Sequence, residues 1–564
     1  MKKTLTTLAI LFAGTCMMHA QEKPTVYMVS NAHWDTQWNW DIQRSINEFL
    51  PNTLLQNFKL IETYPEYIFN LEGAVKYDMA KEYMPELYEQ LKAYVQAGRW
   101  HVSGSGWDAN DPNIPSIESS IRNYLYGQQF YKDEFGVKST DVMLPDCFGF
   151  NYTMPTVASH CGLIGFGTQK LKWREKPFYE NGDKIPFPFG IWEGIDGSRI
   201  MAAMDGGGYG WNPDEDIRAI EDLEKRIGQA CIPAVYRYFG TRSSRKHGDQ
   251  GGSPLPIAVE TIDQARQNPL AYNVRFAATD QMYKDFYMDP RLPVFKGELL
   301  MDVHATGCYT SHTELKKLNR RIEWLLSSAE ALGVLAERLG VMEYPSWTFD
   351  QIWKRTLVHQ FHDDITGTSI PEAYKFTYND YYLSVNQLEN IIDAQLQAIG
   401  KVLGTKLSGT PLLVYNPVSA ESSDYVTAEI NLPAKYKSVA VYDQNGRKVA
   451  SQLLSRDGDK ACIAFCAKLP SLSVSVFELR PQTAADAAGK IKVGSNWIEN
   501  SVYKVSLNAD GDICSIVDKR VGRELVKQGE AIGLSVFSNN KSIRWPAWEI
   551  RKEVMDREPS KVNG

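Results

Sequence analysis

Four short stretches of this sequence carry side chains that could bind a metal ion or move a proton. Asn31-Ala-His33-Trp34-Asp35 follows a β-rich run, with His33 and Asp35 two residues apart. In an extended segment such positions face one way. An imidazole nitrogen and a carboxylate oxygen could then share a cation, or the acid could simply hold the histidine. Trp107-Asp-Ala-Asn-Asp111-Pro-Asn-Ile-Pro-Ser116 is a loop stiffened by two prolines, which limits where a carboxylate points; an Asp-Pro pair also makes ordinary turns. His362-Asp363-Asp364-Ile-Thr-Gly-Thr368 lies in helical sequence. A second histidine there could complete a shell of two His and two Asp, or the acids could cap a helix. Gly248-Asp249-Gln-Gly-Gly-Ser-Pro254 lets backbone approach a ligand while Asp249 reaches into a cleft, or is a plain flexible loop. No Lys-Ser/Thr follows the glycines, which disfavours a phosphate-binding loop.

These stretches need elements to carry them. Residues 22 to about 275 alternate short β-rich runs (Thr25 to Ser30, Trp100 to Ser103, Asp141 to Leu144, Arg199 to Met204, Val274 to Ala277) with polar helical sequence. That alternation predicts βα units and a parallel sheet, and ligands of such folds bind beyond the carboxyl ends of the strands. From 313 to about 402 the period is helical. Leu315, Leu318, Ile322, Leu325, Ala329, Leu332, Ala336 and Leu339 form one stripe ended by Gly340, and Val385, Leu388, Ile392, Leu396 and Ile399 another. Two apolar stripes predict a helical bundle, with the charged cluster Lys316 to Glu323 on its solvated face. From about 410 the period is two. Tyr425 to Leu432 alternates, and Asn445-Gly446 and Asp510-Gly511 mark hairpin turns, so an antiparallel β-sandwich is expected. The fold class is thus multidomain α/β, with a catalytic domain at 22–280, a helical bundle at 281–404 and a β-sandwich at 405–564. The strands of the last part look few for a closed sandwich, so it is expected to be incomplete.

The first twenty residues read as a signal peptide: Lys2 and Lys3, an apolar stretch from Leu5 to Ala13, then small or polar residues to Ala20. Thr15 before Cys16 makes a poor lipidation site, so the protein is expected to be exported, to the periplasm or beyond. No segment is long and apolar enough to span a bilayer. Loss of the leader takes the formal net charge from −7 to about −9, which argues against nucleic acid and anionic lipid as partners and leaves a homo-oligomer open. Seven of the eight cysteines survive cleavage. An odd number leaves a free thiol, and the set reads as mostly buried apolar residues without a disulfide framework. The 14 Trp and 29 Tyr suit sugar rings, which offer C–H faces to aromatic planes, although large enzymes bury many aromatics anyway.

Taken in order, the motifs resemble glycoside hydrolase family 38, the class II α-mannosidases. The resemblance runs through His33-Trp-Asp35, Asn110-Asp111-Pro-Asn-Ile-Pro-Ser116, Leu144-Pro-Asp146-Cys-Phe-Gly149, Trp192-Glu-Gly-Ile-Asp-Gly-Ser198, Gly248-Asp249 and His362-Asp363-Asp364-Ile-Thr-Gly-Thr368. Gly297-Glu298-Leu299, Tyr309-Thr-Ser311 and Asn319-Arg320-Arg321 extend it. It implies an N-terminal α/β barrel-like domain, a helical bundle and a C-terminal β-sandwich. It also implies Zn2+ or another divalent cation on His33, Asp35, Asp111 and His362, with Asp111 the nucleophile and Asp249 the acid/base. Asn31 and Phe361 depart from the family pattern where many relatives carry histidine, Gln250 interrupts the usual glycines, and the chain is shorter than usual.

The activity that the resemblance implies is that of a retaining α-mannosidase acting on a mannose-containing glycan. Its two carboxyl groups flank the bond to be cut, and the cation holds the sugar's 2- and 3-hydroxyls. Trp34, Trp38 and Trp107 are the expected ring platform, Tyr309 and Asp363 the expected hydroxyl contacts, and Asp146 an orienting group. Two other readings compete: a metal-dependent polysaccharide deacetylase, in which a metal activates water, and a non-catalytic exported glycan-binding protein.

Overall fold

The computed structural model describes residues 23–174, 185–240, 249–269, 271–301, 304–404, 407–484, 490–538 and 545–562. The expected leader, Cys16 and Gly248 lie outside them. Twelve strands make the N-terminal part: β1 Thr25–Asn31, β2 Phe69–Glu72, β3 Trp100–Ser103, β4 Asp141–Met143, β5 Gly149–Phe150, β6 Gly165–Gly167, β7 Phe189–Glu193, β8 Arg199–Ala203, β9 Ala234–Gly240, β10 Asn273–Phe276, β11 Val294–Lys296 and β12 Leu299–Leu300. β1 lies between β10 and β9, parallel to both, and β2 pairs in parallel with β3. β1 and β9 are buried along almost their whole length, as strands covered on both faces are.

The third sheet, β11-β7-β8-β6-β4, is mixed. β7 runs antiparallel to β8, because Glu193-Gly-Ile-Asp-Gly-Ser198 closes a tight hairpin. Gly197 sits there at φ +85, and Asp196 accepts the Ser198 N–H. The expectation of an all-parallel sheet is corrected at this turn. The boundary drawn at 280 is corrected as well, since β11 pairs with β7 and β12 with β5, so the N-terminal unit continues to about residue 300.

Helices Thr313–Arg338 and Pro371–Val402 pack together, and the first ends before Gly340 at φ +68. Its buried stripe holds Leu326 rather than Leu325, and Leu339 is exposed. The charged cluster at 316–323, expected to be mostly a solvated face, is one only in part: Lys317 and Arg321 are exposed. Glu323 is buried and accepts from Ser116 N–H, Ser119 Oγ and Arg320, tying this helix to the start of helix Ile117–Phe135.

In the C-terminal part β13 Thr410–Asn416, β14 Ser422–Asn431, β15 Ser438–Tyr442, β16 Lys448–Val449, β17 Ser451–Asp457, β18 Lys460–Leu469 and β19 Ser473–Gln482 form two antiparallel sheets, β13-β19-β15-β16 and β14-β18-β17. Both feed one apolar core, where Phe465 meets Phe477. Another antiparallel sheet runs through 492–524. Only Cys147 and Cys308 among the seven described cysteines are buried, which corrects the expectation of mostly buried thiols; none forms a disulfide. Among the described residues no helix is long and apolar enough to cross a membrane.

Candidate active site

The carboxyl ends of β1, β2, β3, β4 and β9 converge, and the loops leaving them build the site. At the end of β1, Asn31 accepts the His33 N–H and donates to the Phe239 carbonyl of β9. This fixes the turn that presents His33 and Asp35. The loop after β9 closes against it: Asp35 N–H donates to the Asp249 carbonyl and Gly251 N–H to the His33 carbonyl. Asp249 adopts φ +71, a left-handed conformation that costs energy for a residue with a side chain. It is held there by that pairing and by Tyr209, whose hydroxyl lies 2.5 Å from Asp249 Oδ1.

His362 reaches the same point from the helical part. Its N–H and Nδ1 both meet the Ala109 carbonyl, and Asp111 N–H donates to the Gln360 carbonyl. His33 Nε2 lies 3.0 Å and His362 Nε2 3.4 Å from Asp35 Oδ1, and the imidazole rings are stacked at 5.7 Å. Glu72 at the end of β2 approaches His33 Nδ1 at 3.6 Å and is itself held by Lys76. His33 Nε2, Asp35 Oδ1 and His362 Nε2 are buried and make no aligned hydrogen bond. Buried polar atoms are rarely left so. Two imidazole nitrogens and a carboxylate oxygen aimed at one another suit a divalent cation. Asp249 and Asp363 each complete a three-donor group with members of this cluster, as does Asp146.

The electrostatics follow from the crowding. Burial opposes protonation of His33, but Asp35 outweighs it and raises the imidazole to about 10. Burial and the Asp35 charge push Asp249 up to about 6 and Asp363 to about 8. Burial raises Asp111 as well, opposed by the N–H groups of Ile114 and Asn113.

The cavity over this cluster is lined by Asp35, Asp249 and Asp363 on its floor. Lys170 and Tyr209 stand at one side, and Trp38, Phe148, His304, Trp545 and Trp548 form its aromatic walls. Lys170 Nζ holds Asp146 at 2.9 Å, and Asp146 also lines the cavity. Asp111 opens instead on an adjoining cavity with Asp108 and Asn110, and its carboxylate belongs to none of the three-donor groups found among the described residues. Tyr309 lies on the Asp111 side, 40% exposed.

Two platform residues are corrected. Trp34 is fully buried, with its Nε1 on Ser45 Oγ and Lys76 over its ring. Trp107 packs against Tyr126 and Phe130. Neither lines the cavity. Trp545 and Trp548, missed in the sequence, take that place. Two tryptophans in four residues of an otherwise polar tail were the signal available. Glu72, Lys170, Tyr209 and His304 carried no local signal.

Behind the site the His359 ring bridges Asp364 (Nδ1, 2.7 Å) and Asp380 (Nε2, 3.0 Å). Burial opposes its charge, but the two carboxylates outweigh this and raise it from 6.5 to about 9. The charged ring therefore stabilises the fold fully below about pH 6.5, and this contribution disappears as pH rises through about 9. The melting temperature is expected to fall across that window, and His359→Gln to flatten the fall. Parallel slopes in both proteins would contradict the bridge.

The family models of the glycosyl hydrolases family 38 N-terminal domain, the alpha mannosidase middle domain and the glycosyl hydrolases family 38 C-terminal domain match residues 23–298, 303–399 and 498–562. Alpha-mannosidase G of Dictyostelium discoideum is 28% identical over 94% of the chain and 50% of its own length. Alpha-mannosidase 2C1 of Homo sapiens is 26% identical over 94% and 48%. The chain thus spans about half the length of these curated relatives. The crystal structure of an alpha-mannosidase from Enterococcus faecalis V583 superimposes with a TM-score of 0.75 at 21% identity, over 94% of this chain and 64% of that one, which shows a shared fold. With the three domain models matching in order along the sequence, the chain belongs to glycosyl hydrolase family 38.

Proposed function

We propose that the chain is a retaining α-mannosidase that releases terminal α-linked mannose from a glycan. The observation that carries this reading is the buried, unbonded donor set of His33, Asp35 and His362 beneath a cavity walled by tryptophans and carrying Asp249. A divalent cation, zinc by chemistry of the donors, fits His33, Asp35 and His362, with Asp111 the fourth ligand the family resemblance implies; when bound it supplies a Lewis acid for two neighbouring sugar hydroxyls. In the proposed first step Asp111 attacks the anomeric carbon. An ester bond forms as the glycosidic C–O bond breaks, and Asp249 gives its proton to the leaving oxygen. Asp249 then removes a proton from water, which attacks the same carbon and frees Asp111. Burial and the Asp35 charge, which keep Asp249 protonated to about pH 6, favour it as the acid. The aromatic walls suit the C–H faces of a pyranose. The barrel-like and sandwich descriptions of the two sheet regions, and export through the leader at 1–20, belong to the same reading.

Hydrolysis of a panel of α-linked mannobiosides, followed by proton NMR, tests it. Mannose should appear first as the α-anomer. The β-anomer first would overturn retention, and acetate release from acetylated glycans without mannose would overturn the glycosidase. The acid role has a separate check. Asp249→Asn should slow mannobioside cleavage about 10²–10⁴-fold yet spare the first step on a dinitrophenyl α-mannoside, whose leaving group needs no proton. Equal losses on both would move the acid elsewhere.

A further inference from the structure

A second donor cluster lies away from the catalytic cavity. His101 of β3, Asp141 at the start of β4 and Asp280 after β10 come together in the N-terminal part, with ligand-capable atoms all within 4.8 Å of one another. His101 Nε2 is 3.7 Å from Asp280 Oδ1 and 4.0 Å from Asp141 Oδ1. Donors each about 2.1 Å from one ion are at most about 4.2 Å apart, so these distances already fit a shared ligand.

One oxygen of each acid is occupied. Ser139 Oγ meets Asp141 Oδ1, while Thr140 Oγ1 and Lys284 Nζ meet Asp280 Oδ2. His101 Nε2, Asp141 Oδ2 and Asp280 Oδ1 are shut off from solvent and make no hydrogen bond. Both acids are about 1% exposed. Desolvated carboxylates beside one imidazole nitrogen, each with one oxygen held by neighbours and the other left without a hydrogen bond, are arranged as ligands in a supported shell. One lysine does not neutralise two buried acids, and burial together with Asp280 pushes Asp141 up to about 7.

From this juxtaposition we infer that His101, Asp141 and Asp280 bind a structural divalent cation of the Zn2+ or Mn2+ kind. The ion ties β3, β4 and the segment after β10 together. Thr279 in that segment already meets Asn70 and Ser103, so the ion would link three separate sheets whose strands lead to the catalytic loops. None of these residues lines the catalytic cavity, so the inference stands apart from the proposed activity. The opposing arrangement is a protonated His101 bridging the two acids with no ion.

The test uses the full chain, dialysed against Zn2+ or Mn2+, freed of unbound ion and analysed by elemental mass spectrometry. Asp141→Asn should hold one equivalent fewer than wild type, and His33→Ala should keep that equivalent. Equal content in wild type and Asp141→Asn, including none in either, overturns the inference. Asp280→Asn serves if Asp141→Asn does not fold. A further measurement needs no second variant: chelated His33→Ala is titrated with each ion while its melting temperature is followed. A rise of several degrees saturating near one equivalent supports the site, and no rise with either ion refutes it.

Discussion

Asp111→Asn is expected to lower kcat/KM on aryl α-mannosides by on the order of 10³-fold or more, as removal of a nucleophile does, with the fold retained. The amide keeps an oxygen where Asp111 Oδ1 now accepts the N–H groups of Asn113 and Ile114. The backbone bond to Gln360 is untouched, so the loop keeps its shape. What disappears is the anion. A 5-fluoro mannosyl inactivator should esterify Asp111 in the wild-type protein, seen by peptide mapping. An adduct on Asp363, which lines the main cavity, would transfer the role there.

Chelation is expected to cost at least as much, about 10³-fold, with recovery on adding back zinc. His362→Ala should resist that rescue. Burial makes ionisation of Asp111 costly, while two N–H groups, His362 and Lys316 favour its anion. Lys316 is itself weakened, burial lowering it to about 8. Positive charge beside the cluster offsets the cost of the anion, and bound metal joins His33, Asp35 and His362 into one unit. The chelated protein should therefore also melt earlier. Metal-free protein at full activity and unchanged melting temperature would refute the cation's role.

Local periodicity explains how much of this could be read in advance. His33 and Asp35 stand two apart at a strand end and do face one way. By the same alternation Trp34 faces the other way, into the core, so the pattern that found the pair also excluded the tryptophan between them. The helical stripes of 315–336 and 385–399 were legible because one face of each helix is buried. β9 was not read as a strand. Arg237 interrupts its apolar pattern, and only the folded chain shows that side chain lying over Trp211 at 4.2 Å. Glu72, Lys170 and Tyr209 reach the site across long sequence separations, and no spacing rule encodes such meetings.

The wall formed by Trp545 and Trp548 bears on how the protein matures. The tail is anchored where Gly307 N–H and Ser311 Oγ donate to the Trp548 and Ala547 carbonyls, while Trp548 stands against Phe148. Trp38 and Trp548 lie 510 positions apart (548 − 38), so a ribosome makes the donor cluster long before it makes this wall of the cavity. A chain that stops or is nicked ahead of residue 545 would carry the donor cluster without this wall.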